Sequence, residues 1–287
     1  MKSKIKIIIL VFILLLVGVA CSIPKSTYEK WFNSNSQEEL DENVETKLIY
    51  VKNTSGKLVG LEVPVKESND DEIIQKWNLL TIHSSNIPSG YTTPLNTNTT
   101  LESYQIKDSV LELNVSNEIT SSEGRATIES LAWTFINDEI KEVKLLVDGN
   151  EVKEISDYLI RKIDKNIGIN LEYETNYLYE AMATTLVYYE QDYILPVTYL
   201  HLEKDVCSYI VEKTYDNYQK NEEVWNYEYT LNEESLEVNF TDELQIEQNV
   251  LLTLSHSFDF NLNIINLSIN NSNENLYQTV FGEIVED

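Results

Sequence analysis

The chain writes one module twice. Val110 to Ile119 reads VLELNVSNEI and Ser235 to Leu244 reads SLEVNFTDEL, with the same alternation at every position. Leu111, Leu113 and Val115 correspond to Leu236, Val238 and Phe240, which a period of two places on one strand face. Glu112 and Asn114 correspond to Glu237 and Asn239 on the other face. The neighbours repeat in the same order. A helical stretch follows each strand, IESLAWTF from Ile128 and VLLTLSHSF from Val250. A closing strand follows each helix, Val143 to Val147 and then Ile265 to Ile269. Tandem duplication means that what each module packs against matters before any catalytic motif does.

The N-terminus indicates a compartment. Lys2, Lys4 and Lys6 precede an unbroken apolar run from Ile7 to Val17, and Gly18, Val19 and Ala20 lead into Cys21. This is the layout of a secretory signal over residues 1–20, with small residues before the cut. A cysteine at that junction reads as a bacterial lipobox, with Cys21 as lipid attachment site and first mature residue. The competing readings are a plain cleaved signal and a transmembrane anchor. The run is short for a span of ~20 residues. Two acyl chains on Cys21 would hold the protein on the extracytoplasmic face of the membrane, where one chain is marginal.

Charge narrows the partners. The formal net charge is −27, and loss of the three signal lysines leaves the mature chain near −30. Residues 170–287 carry 23 acids against Lys204, Lys213 and Lys220. That half repels nucleic acid and anionic wall polymers, so no nucleic acid partner is expected. Cys207 is the one cysteine besides Cys21, which excludes an intramolecular disulfide between structural cysteines. It falls in an apolar helical stretch and reads as a small core residue.

Residues 21–45 read as an acidic tether, and residues 46–150 as the first module. The latter begins with a hairpin around Asn53-Thr54-Ser55-Gly56 and a helix started by Asp70 and Asp71, with Ile73, Ile74, Trp77 and Leu80 on one side. A Pro/Gly loop spans 86–100, and Lys107-Asp108-Ser109 makes a tight hairpin turn. Residues 151–183 read as a connector with a helix carrying Ile155, Leu159 and Ile163. Residues 184–275 repeat the first order, and 276–287 read as an acidic tail. The expected fold class is α+β: two tandem two-layer modules, each with helices packed on one face of a small mixed sheet.

The order strand, strand, helix, hairpin, helix, strand resembles the sporulation and spore-germination domain, GerMN. The matching residues are Gly56-Lys57-Leu58-Val59, the Pro88-Ser89-Gly90 loop, the Leu111 to Val115 strand and Val143-Lys144-Leu145-Leu146-Val147-Asp148-Gly149. In the second half Ile194-Leu195-Pro196-Val197 is similar to the same hairpin, while Asn270-Asn271 replaces the closing Asp-Gly. The resemblance implies a fold like the ring-building motif. It also implies a place among envelope or sporulation-channel proteins of the secretion-like channel between mother cell and forespore. It brings no catalytic residues, and it leaves a homo-oligomer open as a further partner.

The residues offer little catalytic chemistry. His83, His201 and His256 lack the ligand spacing of a zinc site, and no phosphate loop or nucleophile elbow occurs. His256 occupies the repeat position of Trp133 and reads as packing, while His201 lies at a strand end that could face solvent. Glu222-Glu223 and Glu233-Glu234 read as solvated turn charges. The tyrosines from Tyr173 to Tyr193 either form a sugar-stacking strip or serve as strand residues, and strand propensity favours the second. The expectation is a lipid-anchored, non-catalytic scaffold with no cofactor and no metal. The alternatives are a surface lipoprotein that captures a peptide, cation or glycan and, further off, a wall hydrolase with paired carboxylates.

Overall fold

The structure is a computed structural model that describes residues 45–65, 70–190, 192–218, 225–241, 246–262, 264–271 and 275–280. The signal, Cys21, the tether before residue 45 and Glu222-Glu223 lie outside the described residues.

Turn chemistry fixes the hairpins. Strands β1 (Thr46–Lys52) and β2 (Leu58–Pro64) pair antiparallel around a turn. There Asn53 Oδ1 accepts from the N–H groups of Ser55 and Lys57. Helix α1 (Glu72–Leu80) starts where expected, because the Asp71 side chain caps it by accepting from Ile74 N–H at 3.1 Å. Its buried face carries Trp77 and Leu80, joined by Leu79 and by the amide of Gln75. Strands β3 (Leu101–Lys107) and β4 (Val110–Val115) meet at Asp108 and Ser109, both at positive φ. Left-handed residues at both central positions give the hairpin the twist its strands need. Helix α2 (Gly124–Phe135) then leads to β5 (Glu142–Val147), and β6 (Asn150–Glu151) folds back through Asp148-Gly149 with φ of 51° and 74°.

The second module repeats this order. It consists of β10 (Met182–Tyr189), β11 (Ile194–His201), α3 (Val206–Tyr218), β12 (Tyr227–Leu231), β13 (Ser235–Phe240), α4 (Gln248–Leu262), β14 (Asn266–Asn270) and β15 (Asn275–Val280). One sheet is ordered β3-β4-β5-β6 and the other β12-β13-β14-β15. In each, the first and last pairs run antiparallel and the middle pair parallel. The duplicated alternation thus produces duplicated topology. Leu111, Leu113 and Val115 are buried under Ile128, Leu131 and Phe135, and Leu236, Val238 and Phe240 under Leu251, Leu254 and Phe258. The fold is α+β, with helices on one face of each small mixed sheet.

Two features depart from the sequence reading. The closing strand of the second module runs through residue 280, past the point where the tail was placed, and Leu276 and Tyr277 pack on the second core. The first module, whose closing strand is two residues long, gave no hint of that extension. Residues 151–183 also form no α-helix. They build a two-residue ladder between β7 (Glu154–Ile155) and β8 (Tyr158–Leu159), a short 3-10 turn, and β9 (Glu172–Tyr173). The four-residue spacing of Ile155, Leu159 and Ile163 was misleading, since Ile155 and Ile163 are buried in the first core while Leu159 is exposed. Tertiary bonds override the periodicity. Ser156 takes a positive φ and its N–H donates to Thr120 O, and Ile163 bridges to Val143.

The first hairpins do not join their own modules' mixed sheets. They join each other, giving a shared sheet ordered β1-β2-β11-β10, with β9 parallel to β11. Its outer strands are closed by hydroxyls and an amide from the helices. On α4, Thr253, Ser257 and Asn261 accept from the N–H groups of Tyr189, Val187 and Thr185. Four helical residues rise ~6 Å and two strand residues ~6.6 Å, so the two ladders stay in step. On α2, Thr134 accepts from Tyr50 N–H and Ser130 donates to Tyr50 O. These contacts protect edges that would otherwise recruit other strands.

The seam between the hairpins rests on a connector residue. β11 and β2 share one registered pair, Ile194 with Gly60. Continuing that register sets Pro196 against Leu58, and proline has no N–H to give. Asn170 fills the gap. Its Oδ1 accepts from Leu58 N–H at 2.8 Å, and its Nδ2 donates to Leu58 O at 2.7 Å and Pro196 O at 2.8 Å. Asn170 holds a left-handed φ of 48° and its own N–H donates to the buried Glu129, which also pairs with Arg125. Gly168, at φ +73°, passes so close to Leu171 and Thr198 that a β-carbon would collide. The described residues from Glu45 onward therefore fold as one compact unit, with the modules fused through sheet and connector.

Candidate interaction surface

At the end of the shared sheet where β9, β10 and β11 meet, apolar side chains stand in solvent. Tyr173 pairs with Leu200, Met182 faces His201 across the ladder, and Leu202 follows β11. The loop from β9 to β10 adds Tyr177, Leu178 and Tyr179, the last 82% exposed. That loop is held by its own bonds, with Tyr177 N–H donating to Thr175 Oγ1 and Glu180 N–H to Tyr177 O. Scattered exposed apolar residues are ordinary, and a cluster at one corner makes this the candidate contact surface.

A polar network fixes this corner from beneath. Tyr209 of α3 donates its hydroxyl to Glu174 Oε2 at 2.8 Å, and Lys213 binds the other oxygen. Burial raises the Glu174 pKa, but the bonds from Lys213 and Tyr209 outweigh it and leave the carboxyl below its usual range. The Lys213 ammonium also lies 4.7 Å over the Tyr199 ring. His201 stacks on Tyr209 with centroids 3.6 Å apart, and its Nε2 lies 2.8 Å from Thr184 Oγ1. The exposed loop is thus mounted on a rigid base, as surfaces pre-organised for binding require.

The sequence candidates sort as follows. Cys21, the residue expected to carry the lipid, lies outside the described residues. His201 is buried, against the expectation of a solvent-facing strand end, because Tyr209 and Thr184 cover it. His256 is a packing residue, its ring 5.0 Å from Tyr189, as its counterpart Trp133 packs on Tyr50. Glu233 and Glu234 sit in the exposed β12-β13 turn. Cys207 is buried as a core residue, and burial pushes its thiol up to about 11. The tyrosines divide. Tyr188 and Tyr199 are core strand residues, but Tyr177 and Tyr179 lie exposed in a loop, where strand propensity has no bearing. The sequence signal for that loop was the non-alternating Tyr177-Leu178-Tyr179. Among the described residues no group of His, Cys, Asp and Glu converges as a metal site, and no helix is long and apolar enough to cross a membrane.

Comparison with known proteins places this architecture. Residues 48–153 match the family model Germane, described as sporulation and spore germination. The tandem GerMN domains of the sporulation protein GerM from Bacillus subtilis share the fold at a TM-score of 0.69 and 20% identity, over 81% of this chain and 92% of that one. The first GerMN domain of GerM, compared alone, covers 40% of this chain and 97% of its own at 26% identity, with a TM-score of 0.35. No curated protein sequence matches the chain. The tandem GerMN fold accounts for both modules, and the Germane match for the first.

The buried His201 gives the second GerMN-like module a pH dependence. Burial lowers its pKa below the usual 6.5, outweighing the pull of Glu174 and Glu203. The unfolded chain then binds more protons than the folded one as pH falls through the ordinary histidine range. Its contribution is therefore full above about pH 6.5 and is lost below it. Urea midpoints measured from pH 8 to pH 5 should drop below pH 6.5 in the native protein and drop less in His201→Gln. Equal profiles would exclude His201 as the cause.

Proposed function

We propose that the protein is a lipid-anchored, extracytoplasmic scaffold, without catalytic activity, that takes part in a sporulation or germination envelope assembly. The observation that carries this reading is the cluster of exposed apolar side chains around Tyr177-Leu178-Tyr179, mounted on a sheet that fuses two GerMN-like modules. The lipobox reading of Cys21 supports the anchor, and the Germane match supports the setting. The net charge of residues 170–287 favours a partner segment that is basic as well as apolar, since opposite charge speeds encounter and excludes acidic competitors.

Crosslinking in sporulating cells, with mass spectrometric identification, supplies the envelope partner. The purified pair is then titrated at low and at high salt. Binding should weaken as salt rises. It should fall at least tenfold when Tyr177, Leu178 and Tyr179 are together changed to serine, with the melting temperature unchanged because these side chains are exposed. Cys21→Ala should block incorporation of labelled fatty acid and leave the protein uncleaved or released from the membrane. A serine triple variant that binds as tightly as the native chain would remove the surface. Fatty acid absent from the native protein would remove the anchor.

A further inference from the structure

The shared sheet closes its edges with helix hydroxyls, but the second mixed sheet leaves one edge open. β12 is its outermost strand. Thr241 N–H donates to Asn226 O and Asn232 N–H to Ser235 O, so the even-numbered residues of this strand bond to β13. Tyr227, Tyr229 and Leu231 therefore point their N–H and C=O groups away from β13. Among the described residues none bonds to those groups. Thr230 and Leu231 are exposed, Leu231 by 45%. The strand carries none of the usual edge guards: YEYTL has no lysine and no proline, and it pairs with β13 without a bulge.

The edge is also held in place for pairing. Tyr229 donates its hydroxyl to Asp205 at 2.8 Å, and Asp205 in turn accepts from Ser208 N–H at the start of α3. The first module repeats this device, with Tyr104 of β3 bound to Asp71 at the start of α1. Ile106, the counterpart of Leu231, is 48% exposed. The two edges differ in charge. β3 carries Glu102 and ends in Lys107. β12 carries Glu228, β13 carries Glu237 and Glu233-Glu234 fill the turn between them, all four exposed. The hairpin from Asn226 to Phe240 contains no lysine, arginine or histidine.

We propose that β12 is a strand-addition site for an extended segment of a partner protein in which basic and apolar residues alternate. Residues of that segment opposite Tyr227, Tyr229 and Leu231 lie on the face those side chains share with Val238 and Phe240. The residues between them lie on the other face, beside Glu228 and Glu237. Main-chain bonds supply the affinity, and the alternation supplies the specificity. A second copy of this chain fits less well, because two β12 edges would set carboxylates against carboxylates. β12 and the Tyr177 loop belong to different sheets, so the site does not rest on the scaffold reading.

The test titrates the full-length chain, in an uncharged polyoxyethylene detergent, with an end-blocked eight-residue peptide of alternating lysine and valine, followed by calorimetry. Successive strand residues point their N–H groups to opposite edges. Methylating the backbone nitrogens of the valines therefore blocks one edge of the peptide, and methylating those of the lysines blocks the other. One methylated peptide should lose at least tenfold in affinity, and the other should bind as the parent does. Glutamate in place of lysine should abolish binding, and salt should weaken it. Leu231→Pro removes an outward N–H and leaves the ladder to β13 in place, so binding should fall at least tenfold with the melting temperature little changed. Leu231→Lys keeps every backbone group and sets a like charge beside the peptide, which should weaken binding severalfold even where proline disturbs the hairpin. Ile106→Pro blunts β3 and should leave binding unchanged. Several results would overturn the proposal: no binding of the parent peptide, equal effects of the two methylations, equal binding of the glutamate peptide, binding that survives both Leu231 variants, or an equal loss with Ile106→Pro. The peptide stands in for no particular envelope protein, so this titration and that of the crosslinked partner fail independently.

Discussion

Replacing Asn170 with alanine should destabilise the protein by about 3 kcal/mol. The side-chain amide satisfies Leu58 N–H, Leu58 O and Pro196 O at the seam, and Leu58 is 1% exposed. Leaving such groups unpaired costs roughly 1–3 kcal/mol apiece when water cannot reach them. Alanine also adopts the left-handed conformation of residue 170 less readily than asparagine does, adding about 1 kcal/mol. The sum stays below simple addition because the loosened seam admits water. Since β2 and β11 share one registered pair, the variant should also uncouple the modules. Urea unfolding followed by tryptophan fluorescence and by circular dichroism should give separated midpoints, where the native chain gives one. Asn170→Gly relieves the backbone strain and should recover only a minor part of the loss. A loss under 1 kcal/mol with coincident midpoints would show that the fused sheet does not depend on this amide.

Phe135→Ala and Phe258→Ala should each cost about 3–5 kcal/mol, the range for emptying a buried aromatic site. The two residues hold the same repeat position and are 1% and 0% exposed. Each lies over the alternating face of its own sheet, Phe135 in the first core and Phe258 in the second. The losses should be similar but felt in different places. Hydrogen exchange should accelerate first on β4 and β5 for Phe135→Ala, and on β13 and β14 for Phe258→Ala. Exchange that rises equally throughout both modules would mean that the fused unit opens as one body and that neither core loosens locally.

The two sets of variants probe different kinds of information. The phenylalanines were legible in the sequence, because Leu111, Leu113 and Val115 alternate as Leu236, Val238 and Phe240 do and each helix repeats its apolar spacing. Caps and turns were legible for the same local reason: Asp71 begins a helix and Asp148-Gly149 closes a hairpin. The hydroxyls at Ser130 and Thr134 recur at Thr253 and Ser257, so the edge-closing ladder was also written in the repeat. Helix periodicity drew attention to the apolar positions and passed over it.

Asn170 and the Tyr177 loop belong to the other kind. Nothing near Asn170 in sequence announces that Pro196 lacks a donor opposite Leu58. The Ile155, Leu159, Ile163 spacing reads as a helix until Thr120 and Val143 claim the backbone beside it. The burial of His201 depends on a tyrosine from α3. The sequence by itself determined the local periodicities, the turns and the duplicated order of elements, because each depends on residues within a few positions of one another. Which strands share a sheet, which amide bridges the modules and which apolar side chains are left in solvent were decided by tertiary structure alone. Those outcomes depend on pairing groups far apart in the chain, and a buried hydrogen bond left unmade costs more than any local propensity gains.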